Sequence, residues 1–261
     1  MRLICAVFVL LLVLMASAQC QQTAEDWFNK GVALGEQGKY DEAIKAYDEA
    51  IRLDSNLAVA WLNKGHALYN QGKYDDAIKA YDEAIRLDPN YAMAWYNKGN
   101  ALNSQGKYDD AIKAYDEAIR LDPNLAVAWT GKGAALYAQG NYTDAIRCFD
   151  EAIRLNPKDA DAWYNKGVSL NGQGKYDDAI KCLDEAIRLD PNYAEAWFNK
   201  GVALGILGKY DDAIKCFDEA IKINPNLAKV WHAKSLVLKA IGRTADADSA
   251  LAKARELGYS G

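Results

Sequence analysis

Within residues 92–125, Trp95, Gly99 and Leu102 recur at i, i+4 and i+7, one stripe of an α-helix, and Ala111, Tyr115, Ala118 and Ile119 form a second stripe farther on. Between them stands Gly106, suited to the left-handed turn that closes a helix. The acidic pair Asp109 and Asp110 follows, favoured where a helix dipole opens the next element. Pro123 then forbids continuation and pushes Asp122 away from the α region. The pattern predicts two helices and a stop, and it recurs along the chain. Trp27, Trp61, Trp95, Trp129, Trp163, Trp197 and Trp231 are 34 residues apart, and Pro89, Pro123, Pro157, Pro191 and Pro225 share one place in the repeat.

Seven blocks result: 24–57, 58–91, 92–125, 126–159, 160–193, 194–227 and 228–261. A period of this length means stacked supersecondary units, each too small to bury its own apolar face and dependent on its neighbours. Glycine and alanine, as at Gly99, Ala111 and Ala118, stand where helices must approach closely, with Trp95 and Tyr115 filling the space around them. On the outward face of the second helix, Asp109 to Lys113 and Asp116 to Arg120 are spaced for i,i+4 ion pairs, each worth about 0.2–0.5 kcal/mol.

A 34-residue unit reading W…G…L…Y…A…Y…A…P in two helices resembles the tetratricopeptide repeat (TPR), over residues 24–261. The resemblance implies an all-α fold, a right-handed superhelical α-solenoid of seven helix-turn-helix units. First helices would line a concave groove that holds a protein or an extended peptide.

The face opposite the Trp–Gly–Leu stripe comprises the second, fifth, sixth, ninth, twelfth and thirteenth places of each block. Unlike the buried stripe, these places vary, and a specific site must break the repetition. They supply the candidate binding residues Asn63, His66, Tyr69, Tyr96, Asn97, Asn100, Asn103, Thr130, Tyr137, Tyr164, Asn165, Phe198 and Asn199. Aromatic surface and amides together suit an extended backbone. The sixth-place asparagines either bind peptide groups or hydrogen-bond locally. Some members of the family grip a terminal carboxylate with Lys beside such asparagines, but the fifth place here never carries Lys.

Lysine fills the seventh place in all seven blocks, from Lys30 to Lys234, where the family usually has an apolar residue. Its stem is expected to lie along the neighbouring helix, with the ammonium reaching water or an Asp or Glu; a cationic rail for an anionic polymer is the other reading. In block 4, Gly131 is expected to open the groove wall, and Asn141-Tyr-Thr143 forms a glycosylation sequon. Block 7, with Ser235 for glycine and with His232, Lys239, Arg243 and Asp248, is expected to be a polar end cap.

Thirty-one Lys and Arg against 36 Asp and Glu, with a pI near 5.2, argue against a nucleic-acid binder. Arg2, the apolar run Leu3–Met15 and Ala16-Ser17-Ala18 make residues 1–18 a secretory signal, followed by a short segment 19–23. Cleavage after Ala18, lipid attachment at Cys20 and an uncleaved anchor remain open, and all three place the repeats outside the cytoplasm. Cys148, Cys182 and Cys216 share one place, where other blocks have alanine, and read as small buried hydrophobes rather than a disulfide set or a metal site. No catalytic constellation, metal set or cofactor loop stands out. The reading is a non-catalytic protein- or peptide-binding scaffold; a self-assembling envelope component and an assembly factor for a membrane complex are the alternatives.

Overall fold

The computed structural model describes residues 22–260. The predicted signal segment, its cleavage point, Cys5 and Cys20 lie outside the described residues. Fourteen α-helices are found among the described residues, two in each predicted block. The first helices are α1 (Ala24–Glu36), α3 (Ala58–Asn70), α5 (Ala92–Ser104), α7 (Ala126–Ala138), α9 (Ala160–Gly172), α11 (Ala194–Ile206) and α13 (Ala228–Ala240). The second helices are α2 (Tyr40–Leu53), α4 (Tyr74–Leu87), α6 (Tyr108–Leu121), α8 (Tyr142–Leu155), α10 (Tyr176–Leu189), α12 (Tyr210–Ile223) and α14 (Thr244–Glu256). The described residues divide between Gln105 and Gly106 into two compact units, holding α1–α5 and α6–α14.

Each turn within a block is closed by the predicted glycine. Gly38 takes φ +74°, and the Lys39 and Gly38 amides donate to Leu34 and Gly35 carbonyls at 3.0 and 2.9 Å. This pair of bonds satisfies carbonyls that the helix end leaves open. Thr23 and Asp26 cap α1 reciprocally, each side chain accepting from the other's backbone amide. Among the second helices, α8 carries a side-chain cap: the sequon residue Asn141 accepts from the Asp144 amide, and its Nδ2 donates to Asp144 Oδ2 at 2.8 Å. The sequon nitrogen is therefore engaged.

Packing within a block rests on glycine against a ring. A Cβ on Gly65 would lie 2.5 Å from Tyr81, and one on Gly133 or Gly201 would lie 2.6 Å from Phe149 or Phe217. These rings are at most 1% exposed. In block 7, Ser235 fills the glycine's place, buried, with its hydroxyl donating to the His232 carbonyl at 2.7 Å.

Packing between blocks uses one isoleucine of each second helix. Ile44, Ile112, Ile146, Ile180 and Ile214 each join the cluster of the following block. Polar groups fix the same seam. Lys64 and Lys98 in the first unit, and Lys132, Lys166, Lys200 and Lys234 in the second, reach Asp48, Asp82, Asp116, Asp150, Asp184 and Asp218 at 2.5–2.6 Å. Each ammonium also lies 5.0–5.9 Å from the tryptophan ring of its own block. The predicted docking of lysine stems on a neighbouring carboxylate holds. The predicted i,i+4 pairs do not: Lys113 pairs with Asp110 and Arg120 with Glu117, both i,i+3, because Asp116 is taken by Lys132 and Asp109 accepts from Gln139.

Candidate functional site

In the first unit, Asn63 and His66 of α3 meet Val32 and Glu36 of α1 and Tyr40 and Tyr47 of α2 around a hollow of about 290 Å³. Burial, and secondarily the Glu36 carboxylate, push the Tyr47 phenol up to about 12, so it is a donor at neutral pH. Asn63 spends its Nδ2 on the Val59 carbonyl, 2.9 Å away and one turn back. Farther along, Tyr69 stacks obliquely on Tyr74 at 5.3 Å and shares a 3.1 Å hydrogen bond with Ser104. Tyr96, Asn97, Asn100 and Asn103 lie half-buried on α5, and the Asn103 Oδ1 is buried without a partner.

In the second unit, Tyr164 and Asn165 of α9 and Phe198 and Asn199 of α11 surround a connected polar network. Tyr164 stacks on Tyr193 at 4.7 Å, and its hydroxyl accepts from Asn199 Nδ2 at 3.3 Å. The same amide donates to the Glu195 carbonyl, and the Tyr193 hydroxyl donates to Asp161 at 2.8 Å. Burial raises both phenols, helped by Glu195 for Tyr164 and by Asp161 for Tyr193. Asn171 donates to the Asn199 carbonyl at 3.3 Å, yet its own Oδ1 is buried without a partner. Phe198 is partly spent on Phe217 at 6.1 Å and is covered by the Lys229 ammonium. Thr130 donates back to the Ala126 carbonyl, and Tyr137, 38% exposed, stacks obliquely on Tyr142.

The sixth-place asparagines thus divide. Asn63 and Asn199 bond their own helix, whereas Asn97 and Asn165 keep side chains without hydrogen bonds among the described residues. Gly131 does not open the wall as expected: a Cβ there would lie 2.7 Å from the Tyr115 ring, which occupies the space. Sequence reasoning placed Asp161 on the groove face, at the second place of its block, without singling it out, and missed Tyr193. The signal available for Tyr193 was the last place of each block, which changes between Leu125, Asp159, Tyr193 and Leu227.

A larger hollow of about 700 Å³ lies elsewhere, lined by Ile112, Trp129, Lys132, Leu136, Arg147 and Cys148 among others. None of these occupies a groove place; it is the seam between blocks, built around the Trp, Lys and Leu places that every block repeats. Cys148, Cys182 and Cys216 are free and buried. Burial pushes the Cys148 and Cys216 thiols up to about 11 and raises Cys182 in the same direction. Since the thiolate is the reactive form, all three are expected to resist a thiol reagent in the native protein at pH 8 and to react at once in denaturant. The same shifts make stability fall as pH rises above about 9: the unfolded thiols release protons that the folded ones retain. Fast native labelling would contradict this burial.

Family models describe the repeats directly. Tetratricopeptide repeat models match residues 62–126, 160–193 with 194–227, and 114–147, and a TPR repeat model matches 31–72 and 133–173. Together they run unbroken from 31 to 227. The chain belongs to the tetratricopeptide repeat family. Its TPR fold is an all-α helical-repeat solenoid, shared with many solved structures. YrrB, a TPR protein with an unusual peptide-binding site, is 26% identical, with a TM-score of 0.59 over 73% of this chain and 98% of its own. MamA is 27% identical, with a TM-score of 0.57 over 61% of this chain and 93% of its own. A tetratricopeptide repeat protein from Parabacteroides merdae ATCC 43184 shares the fold at 18% identity, with a TM-score of 0.71 over 92% of this chain and 94% of its own. Comparison with curated proteins gave no match.

Proposed function

We propose that this TPR protein is a non-catalytic interaction module that holds an extended peptide or protein segment against its first helices, outside the cytoplasm. The observation that carries the reading is the unspent hydrogen-bonding capacity on that face. Asn171 Oδ1 is buried and unpaired within a network of Tyr164, Tyr193, Asp161 and Asn199, and Asn165, next to Tyr164 in the chain, makes no side-chain hydrogen bond among the described residues. A buried acceptor without a donor costs about 1–3 kcal/mol, and a peptide N–H satisfies it once the Asn171 side chain turns out toward the groove. The peptide-binding site of YrrB fits the same use of the fold. Export is supported by the sequence of residues 1–18 alone, and amino-terminal sequencing of the protein recovered from envelope fractions tests it, with Gln19 as the expected first residue.

The binding reading is tested by recovering partners with the wild-type protein and with the triple variant Asn165→Ala, Asn171→Ala, Asn199→Ala. The variant is expected to fold and to lose the partner, with affinity reduced about 100-fold, on the order of 1 kcal/mol for each of the three asparagines. Retention of every partner at unchanged affinity would remove the groove assignment.

A further inference from the structure

The first helix of every inner block is covered by the second helix before it; among the described residues, α1 has no such cover. Ala67, Ala101, Ala135, Ser169 and Ala203 share one place and are at most 3% exposed, but Ala33 at that place in α1 is exposed. Leu68, Leu102, Leu136, Leu170 and Leu204 are 6–8% exposed, while Leu34 is only half-buried. Lys30 has no carboxylate partner among the described residues; its ammonium has drawn in over Trp27 to 4.3 Å, closer than any other block's lysine approaches its ring. Gln37 is likewise unpaired among them, although Gln71, Gln105 and Gln139 donate to Asp41, Asp75 and Asp109.

What covers such a face is written in the inner blocks. The covering helix supplies Asp75, Ile78 and Asp82, or Asp109, Ile112 and Asp116: an aliphatic residue set between two carboxylates seven positions apart, with a further isoleucine, Ile85 or Ile119, seven beyond the first. The carboxylates answer the glutamine and lysine of the face, and the isoleucine enters its cluster.

Two occupants lack that chemistry. Residues 1–21 contain no Asp or Glu, so they offer no carboxylate to pair with Lys30. The last helix of a second copy is reversed in character: at the two isoleucine places α14 carries Asp248 and Arg255, both exposed, and at the two carboxylate places it carries Ala245 and Ala252. Stacking it on α1 would bury an unpaired carboxylate and guanidinium and leave Lys30 without an acid, which is costly for charged groups. Among the described residues, α14 ends in a polar face and α1 leaves its apolar face uncovered.

We propose that the exposed face of α1, comprising Trp27, Lys30, Ala33, Leu34 and Gln37, docks an amphipathic helix of a partner protein that presents the pattern Asp-x-x-Ile-x-x-x-Asp-x-x-Ile. The partner helix completes the array as a preceding block would. This surface is separate from the groove used in the proposed function, so each can fail without the other.

The probe is a fluorescent peptide copying residues 74–91, held helical by an i,i+7 staple between the exposed positions 79 and 86. Binding is measured by anisotropy on the full chain and on the chain processed after Ala18. Saturable binding to both is expected. Ala33→Glu, at an exposed position where the fold is not disturbed, is expected to weaken it at least tenfold with an unchanged melting temperature. Lys30→Glu is expected to weaken it about fivefold and to be rescued by the peptide carrying Asp82→Lys. No binding, or binding insensitive to Ala33→Glu, overturns the proposal. Binding only to the processed chain overturns it in favour of the chain's own amino-terminal segment. Concentration-dependent self-association of the wild type that Ala33→Glu abolishes overturns it in favour of a second copy.

Discussion

Gly201→Val is expected to lower the unfolding free energy by about 3 kcal/mol, at the upper end of overpacking costs. A Cβ at Gly201 would lie 2.6 Å from Phe217 Cε1 and 2.8 Å from Cδ1. The ring has no room to retreat, because it is 1% exposed among Leu204, Ala213, Cys216, Ala220 and Val230. Phe217→Ala alone is expected to cost about 4 kcal/mol through the cavity it leaves. The double variant should be less damaging than the sum, since the valine methyls enter space the ring vacates, with a coupling of at least roughly 1 kcal/mol. Block 5 already shows the exchange: Gly167 faces Leu183 rather than a ring, at 2.8 Å. The control is Gly208→Ala, where φ is +74° and nothing lies within 4 Å of the added carbon. Only left-handed backbone strain remains there, about 1 kcal/mol. Urea unfolding followed by circular dichroism reads all four. Additivity of the two core changes within about 0.5 kcal/mol would mean that glycine and ring do not share the space.

Trp163→Ala is expected to cost about 4 kcal/mol, and Trp27→Ala, at the equivalent place in block 1, about 1–2 kcal/mol. Trp163 belongs to two clusters at once. It packs with Ile146, Leu170, Ala179 and Cys182 on one side and with Leu183, Ala186 and Ala196 on the other. Its indole N–H also donates to the Pro157 carbonyl at 3.1 Å. Trp27 has neither a preceding isoleucine nor a preceding carbonyl among the described residues. In an array whose stability is a sum of block and neighbour terms, the same substitution removes a seam in one place and an end face in the other. Equal losses for the two variants would contradict the exposed α1 face as well as the packing account.

Much of the fold was legible because one signal was repeated seven times. The 34-residue spacing of tryptophan, the glycine before each second helix and the proline after it fixed the blocks, and the observed helices fall within them. Gly38 and its equivalents take the left-handed conformation that a turn of this kind requires, which local chemistry alone dictates. The lysine of the seventh place was legible for a similar reason: a cation repeated in every block answers a geometry that every block shares.

The site was less legible. Asn63, Asn97, Asn165 and Asn199 occupy one sequence place and are identical as letters. Yet Asn63 and Asn199 bond the carbonyl one turn back on their own helix, Asn199 also reaching the Tyr164 hydroxyl of the preceding block, and Asn97 and Asn165 do neither among the described residues. Gly131 reads as a gap until the Tyr115 ring is seen to fill it. Ion pairing followed the same rule. Asp116 is four residues from Arg120 in the chain but is held by Lys132 of the next block.

By itself, then, the sequence determined what depends on local backbone preference and on periodic burial: fourteen helices, their caps and breaks, and the stripe each one hides. Tertiary structure alone decided which polar side chains are spent and which remain available. That choice is made by groups brought together from different blocks, by distances near 3 Å that sequence spacing does not encode. It is also what separates α1 from α3, α5 and α7: the letters at the Trp27, Lys30, Ala33, Leu34 and Gln37 places match theirs, and only the absence of a covering helix among the described residues leaves Lys30, Ala33 and Leu34 open to a partner.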